Sequence, residues 1–159
     1  MIRIACILII VSLTFSCGFK PIYKLSEENT LNRGYSVTIL NNASREVIEE
    51  INTNIITSSD EKYSALLTID ESLTPLIINT NGTVAKYRIE ISIDYQLFEI
   101  ATNEEVSNGS ARGFAQYEVG TSEINNEDTK KSMIKIATKN AIQLMISKIQ
   151  SSISQANDN

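Results

Sequence analysis

The chain has 159 residues and a formal net charge of −5 at neutral pH, from 14 Lys and Arg against 19 Asp and Glu. It holds no His, no Trp, two Cys and six Gly. This excludes His-based triads and zinc sites built on His or paired Cys, and the acidic balance argues against nucleic acid and against a polybasic membrane patch.

Residues 1–16, MIRIACILIIVSLTFS, carry one positive residue, Arg3, followed by an apolar run from Ile4 to Phe15. A basic start and a short apolar core read as a secretory signal peptide. The run falls short of the roughly 20 apolar residues that a spanning helix needs. It ends at Cys17, and a signal that ends just before a Cys predicts a diacylglycerol thioether on that Cys. Ser16 suits cleavage there, whereas Leu13, Thr14 and Phe15 depart from the usual order of residues before such a Cys. An ordinary signal with an incidental Cys, or a single-pass anchor, are the other readings. Cleavage before Cys17 removes Cys6, so no intrachain disulfide could form. Acyl chains bind a bilayer at ~0.8 kcal/mol per buried methylene, so two or three would hold the chain firmly.

Residues 17–34 form the lipidated N-terminus and a tether, with Pro21 enforcing an extended path. Residues 35–154 form one α+β domain, and residues 155–159 a frayed tail. Within the domain, residues 35–40 alternate as a first strand. Ser44 is placed to cap a helix over residues 45–58, with Glu46 in its first turn and Val47, Ile48, Ile51 and Ile55 at helical spacing. Tyr63, Ala65, Leu67 and Ile69 alternate as a second strand, continuing past a bend at Pro75 to Ile78. Asn79-Thr80-Asn81-Gly82 is a hairpin turn. Tyr87, Ile89, Ile91, Ile93, Tyr95 and Leu97 then share one face of a third strand, and Arg88, Glu90, Ser92, Asp94 and Gln96 the other. The first set, both tyrosines included, is assigned to the core. Residues 106–119 form a fourth strand, with an interruption expected near Asn108-Gly109. After a loop over 120–126, a helix runs from Glu127 to Ile153. Its apolar stripe is Ile142, Met145, Ile146, Ile149 and Ile153, with Ile134, Ala137 and Ala141 upstream. The order β-α-β-β-β-α predicts a two-layer sandwich, two helices on one face of a four-stranded, mostly antiparallel sheet.

The stretch Cys17-Gly18-Phe19-Lys20-Pro21-Ile22-Tyr23 after the signal resembles the start of LPS-assembly lipoproteins of the LptE family, alphaproteobacterial type. Gly113-Phe114-Ala115-Gln116-Tyr117, a Ser/Asn/Glu-rich loop and a long last helix are similar to that family's closing half. The resemblance implies a non-catalytic lipoprotein of the outer membrane, on its periplasmic side. Such a protein needs no cofactor. It plugs the lumen of the LptD β-barrel, helps that barrel assemble and assists insertion of lipopolysaccharide into the outer leaflet. Gly18 is compatible with outer-membrane sorting.

Under that implication the polar sheet face would meet a polar lumen. Lys86, Arg88 and Arg112 are candidates to pair with lipopolysaccharide phosphates. The plainer and favoured reading is that they balance Glu90, Asp94 and Glu118 on a solvated face. Phe19, Pro21, Ile22 and Tyr23 are candidates to lie at the membrane interface or against the barrel wall. A different periplasm-facing lipoprotein, such as an auxiliary of an ABC-type transporter, is the alternative. No nucleophile beside an activating base is visible, so an enzyme is not expected.

Overall fold

The computed structural model describes residues 35–55 and 61–157. The signal sequence, Cys17, Phe19, Pro21, Ile22, Tyr23 and the predicted helix end at residues 56–58 lie outside them. Six elements follow in order: β1 Tyr35–Ile39, α1 Arg45–Asn54, β2 Tyr63–Ile78, β3 Val84–Glu99, β4 Glu105–Glu118 and α2 Glu123–Asn157. This is the expected β-α-β-β-β-α sandwich.

The strands lie side by side in chain order, β1-β2-β3-β4. β1 runs parallel to β2, and α1 makes the crossover that a parallel pair needs. β2, β3 and β4 are joined by short turns and pair antiparallel. The parallel pairing is short because Asn41 terminates it. Its Nδ2 donates to the carbonyl of Ile69 at 2.6 Å and its Oδ1 accepts from the Ile69 N–H at 2.9 Å, so a side-chain amide stands where the next strand residue would pair.

Period-two burial on β3 is what fixes the layer. Ile89, Ile91, Ile93, Tyr95 and Leu97 are buried, and so are Ala65, Leu67 and Ile69 of β2 and Ala111 and Tyr117 of β4. Val47 and Ile51 of α1 and Ala137, Ala141, Ile142, Met145, Ile149 and Ile153 of α2 close this face. Each large aliphatic side chain contributes about 1.5–3 kcal/mol by leaving water, so α2, with four of them, is the main cover. Tyr95 is core as expected. Tyr87 is half-buried and stacks on Tyr117, its cross-strand partner, with ring centroids 5.5 Å apart.

Gly113 sets how closely α2 approaches. A Cβ there would stand 1.9 Å from the Ala137 carbonyl oxygen and 2.6 Å from the Ala141 nitrogen. Gly113, Ala137 and Ala141 thus bring strand backbone against helix backbone. Farther along, Lys148 donates to the Ser110 carbonyl at 2.7 Å and Ser107 donates to Ser152 at 3.1 Å, so α2 runs antiparallel along β4.

Several details differ from the sequence expectation. α1 ends at Asn54, with Ile55 already in extended backbone, short of the expected residue 58. α2 starts at Glu123, a full turn before Glu127. Ser122 initiates it, its carbonyl accepting from Asn126 N at 3.0 Å and its hydroxyl from Asn125 N at 3.5 Å. Asn126 clasps Gly120 through two further bonds, which ends the loop early. At its other end α2 continues to Asn157, into the stretch assigned to a tail. β4 runs through Asn108-Gly109 without interruption, because Gly109 pairs with Tyr95 and lies beneath its ring. Ser44 takes the cap position of α1 with extended backbone, but its side chain makes no capping bond. A carboxylate from β2 acts instead: Glu71 Oε1 accepts from the Ser44 N–H at 2.6 Å.

β2 changes character halfway. From Asp70 to Ile78 every residue is exposed. The expected bend takes the form of a bulge, with register shifts on either side of Ile77.

Candidate functional site

The helices cover one sheet face, and the other is open. Its β3 side chains are Lys86, Arg88, Glu90, Ser92, Asp94 and Gln96. Across the β3–β4 ladder they stand opposite Glu118, Gln116, Phe114, Arg112, Ser110 and Asn108. Strand alternation places Lys86, Arg88 and Arg112 here because their neighbours Tyr87, Ile89 and Ala111 point to the core.

The register brings the three cations onto one face but not to one point. Lys86 and Arg88 are one side-chain step apart. Arg112 stands opposite Ser92, four residues beyond Arg88, or about 13 Å along the strand. The row between them holds Glu90 and Phe114. Arg112 Nη1 lies 3.7 Å from Glu90 Oε1, a partly exposed pair of the kind that contributes little to stability. Lys86 stands opposite the exposed Glu118. Arg88 is different: its guanidinium lies over the Phe114 ring, 4.2 Å from the centroid, and its Nε is shielded from solvent with no hydrogen-bond partner. Ring and guanidinium form a flat cationic platform whose outward N–H groups can meet an anion. Lys86 and Arg88 are thus neighbours on this face, and Arg112 stands apart from them.

Phe114 is a part of this face that sequence reasoning passed over. Its position in Gly113-Phe114-Ala115 carries the signal, since Gly113 and Ala115 take the inward parity and an aromatic between them must face out. At the other end of the same face a shallow cavity of about 340 Å3 is lined by Leu40, Leu66, Thr68, Asp94, Gln96 and Asn108. It is remote from Lys86 and Arg88 and begins one side-chain step past Arg112, and Asp94 gives it the wrong sign for a phosphate.

A second exposed feature is apolar. Leu73, Leu76, Ile77 and Ile78 are 43–62% exposed on the far half of β2. From Ser72 to Ala85 the hairpin carries no charged residue, and Lys86 and Arg88 follow directly. An apolar hairpin end next to a cationic platform is an amphipathic arrangement. Where Cys17, Phe19, Pro21 and Tyr23 stand relative to it lies outside the described residues.

No family model and no curated protein matches the chain. Solved structures do. A protein from Caulobacter crescentus, provisionally described as a lipoprotein, aligns with a TM-score of 0.60 at 13% identity, over 81% of this chain and 94% of that one. The rare lipoprotein B from Shewanella oneidensis aligns with a TM-score of 0.53 at 14% identity, over 80% and 98%. A lipoprotein B from Nitrosomonas europaea aligns with a TM-score of 0.57 at 13% identity, over 77% and 84%. At these identities the likeness is one of fold: the domain has the architecture of a group of bacterial lipoproteins.

Proposed function

We propose that this chain is an outer-membrane lipoprotein of LptE type, anchored through Cys17, which plugs an LptD-type β-barrel and assists delivery of lipopolysaccharide to the outer leaflet. The observation that carries the reading is a coincidence of two independent features. The fold is that of rare lipoprotein B, another name for LptE, and a short apolar run ends at Cys17-Gly18-Phe19-Lys20-Pro21-Ile22-Tyr23.

The open sheet face suits this role. A body inside a water-filled barrel has to present polar groups to a polar wall, and the outer side chains of β3 and β4 are of that kind. Lys86, Arg88 and Arg112 supply positive groups on an otherwise acidic chain, where an anionic amphiphile would pass. The role needs no catalysis and no cofactor; the protein acts by occupying space and by contact.

Depletion of the protein in its own cells tests the reading. Surface lipopolysaccharide and the mature barrel are both expected to fall. If neither changes, the reading fails. Recovery of an inner-membrane ABC complex with the tagged protein, in place of a β-barrel, would favour the transporter-auxiliary alternative.

A further inference from the structure

Two Asn-Gly pairs occur in the chain, Asn81-Gly82 and Asn108-Gly109. We propose that Asn81 is a site of spontaneous conversion from amide to acid, and that the fold directs this chemistry to Asn81 and away from Asn108. In the first step the Gly82 backbone nitrogen attacks Asn81 Cγ. A nitrogen–carbon bond forms, the bond from Cγ to the side-chain nitrogen breaks, and ammonia leaves with the proton from Gly82. Water then opens the cyclic imide at either carbonyl, giving aspartate or isoaspartate. No oxidant is required.

The hairpin end favours each part of this step. Gly82 has φ +83° and nothing lies within 4 Å of where a Cβ would stand, so no neighbouring group crowds this residue as it turns toward the Asn81 side chain. Asn81 Oδ1 accepts from Thr83 N at 3.1 Å and from Thr83 Oγ1 at 2.7 Å. Both donors draw density from Cγ and receive the negative charge that builds on Oδ1 during attack. One bond has to open first, from Gly82 N to the Asn79 carbonyl at 3.0 Å. It belongs to an exposed turn, where opening is local.

Asn108 is held the other way. Gly109 is locked into the ladder opposite Tyr95, and a Cβ on it would stand 2.9 Å from the Tyr95 hydroxyl. The Asn108 amide nitrogen, which would have to leave, donates to the Glu105 carboxylate. Conversion at Asn81 places a negative charge within the uncharged stretch from Ser72 to Ala85.

Incubation of the folded protein at neutral pH and physiological temperature, followed by peptide mass mapping, tests this. Asn81 is expected to convert faster than Asn108 by at least roughly tenfold, with the gap closing in urea. Thr83→Val should slow Asn81 several-fold, since the hydroxyl donor is lost and the backbone donor stays, and leave Asn108 unchanged. Equal rates in the folded protein, a gap that persists in urea, or a Thr83→Val rate equal to the parent's would overturn the proposal.

Discussion

Gly113 and Ala137 meet backbone to backbone: a Cβ built on the glycine would stand 1.9 Å from the alanine's carbonyl oxygen. Neither partner can yield by turning a side chain. Gly113→Ala therefore has to lift α2 from β4, and Ala141, Ile142 and Met145, all fully buried, lift with it. We expect a loss of about 2–3 kcal/mol in urea unfolding, at the upper end of overpacking costs. Gly120→Ala, where the added Cβ would be 3.5 Å from a single side-chain oxygen, should change stability little. Equal effects at the two sites would show that the close approach is not under strain.

Glu49 links the helices. Its Oε1 accepts from Arg45 Nε at 2.7 Å and its Oε2 from Lys135 Nζ at 3.1 Å. The bond from Arg45, and then that from Lys135, hold the Glu49 carboxyl below its ordinary value of 4.5. A carboxyl more acidic when folded contributes stability above the unfolded-state value, and that contribution disappears as the pH falls through the lowered value. The pair is exposed, so the effect is small and weakens with salt. Comparing urea midpoints of the parent and Glu49→Gln across pH should give a modest advantage to the parent near neutrality and none in acid. A difference that survives below the carboxylate range would assign the effect to packing.

The cationic face yields a graded prediction. If the proposed function holds, replacing Lys86, Arg88 and Arg112 together by Ala should weaken binding to purified lipopolysaccharide while leaving co-purification with an LptD-type barrel intact. Within the set, Arg88→Ala is expected to cost the most, because its guanidinium is already oriented by Phe114 at 4.2 Å. Arg112→Ala is expected to cost the least, because Arg112 already faces Glu90. Phe114→Ala should reproduce part of the Arg88 effect without removing charge. Unchanged binding in the triple variant would remove all three from the site.

β4 is an edge strand, and α2 guards part of it. Lys148 occupies the Ser110 carbonyl and Asn140 donates to the Phe114 carbonyl at 3.4 Å. Open edges template pairing with other chains. The double variant Asn140→Ala, Lys148→Ala should stay folded but self-associate at high concentration, measured by sedimentation. A variant that remains monomeric would mean that helix bulk alone protects the edge.

Much of the body was legible in sequence because one face of each element is buried and the other wet. The run from Tyr87 to Leu97 alternates for that reason, and Ile142, Met145, Ile149 and Ile153 share one helical stripe for the same reason. Contacts between elements far apart in sequence were not legible. Nothing local marks Gly113 as the seat of Ala137, or Glu71 as the group that meets the backbone N–H of Ser44. In sequence Asn125 and Asn126 suggest a loop, whereas Ser122 recruits both into the first turn of α2. Thr138 was not expected inside. It is fully buried because its hydroxyl donates to the Ile134 carbonyl one turn back. Of the cationic residues, alternation gave the face they share, but only the register shows that Arg112 stands apart from the other two.

The Asn41 amide that pairs with Ile69 also decides how rigidity is distributed. Before Ile69, β2 has a strand on each side; beyond it, β2 has β3 alone and every residue is exposed. The domain should therefore loosen from one end. Amide hydrogens of β2 past Glu71 would exchange early, while those of Leu67, Ile93 and Met145 would wait for the whole domain to open. One neutral side chain thus divides the longest hairpin into an anchored root and a compliant outer limb, which could adjust to a neighbouring surface without disturbing the body that carries it.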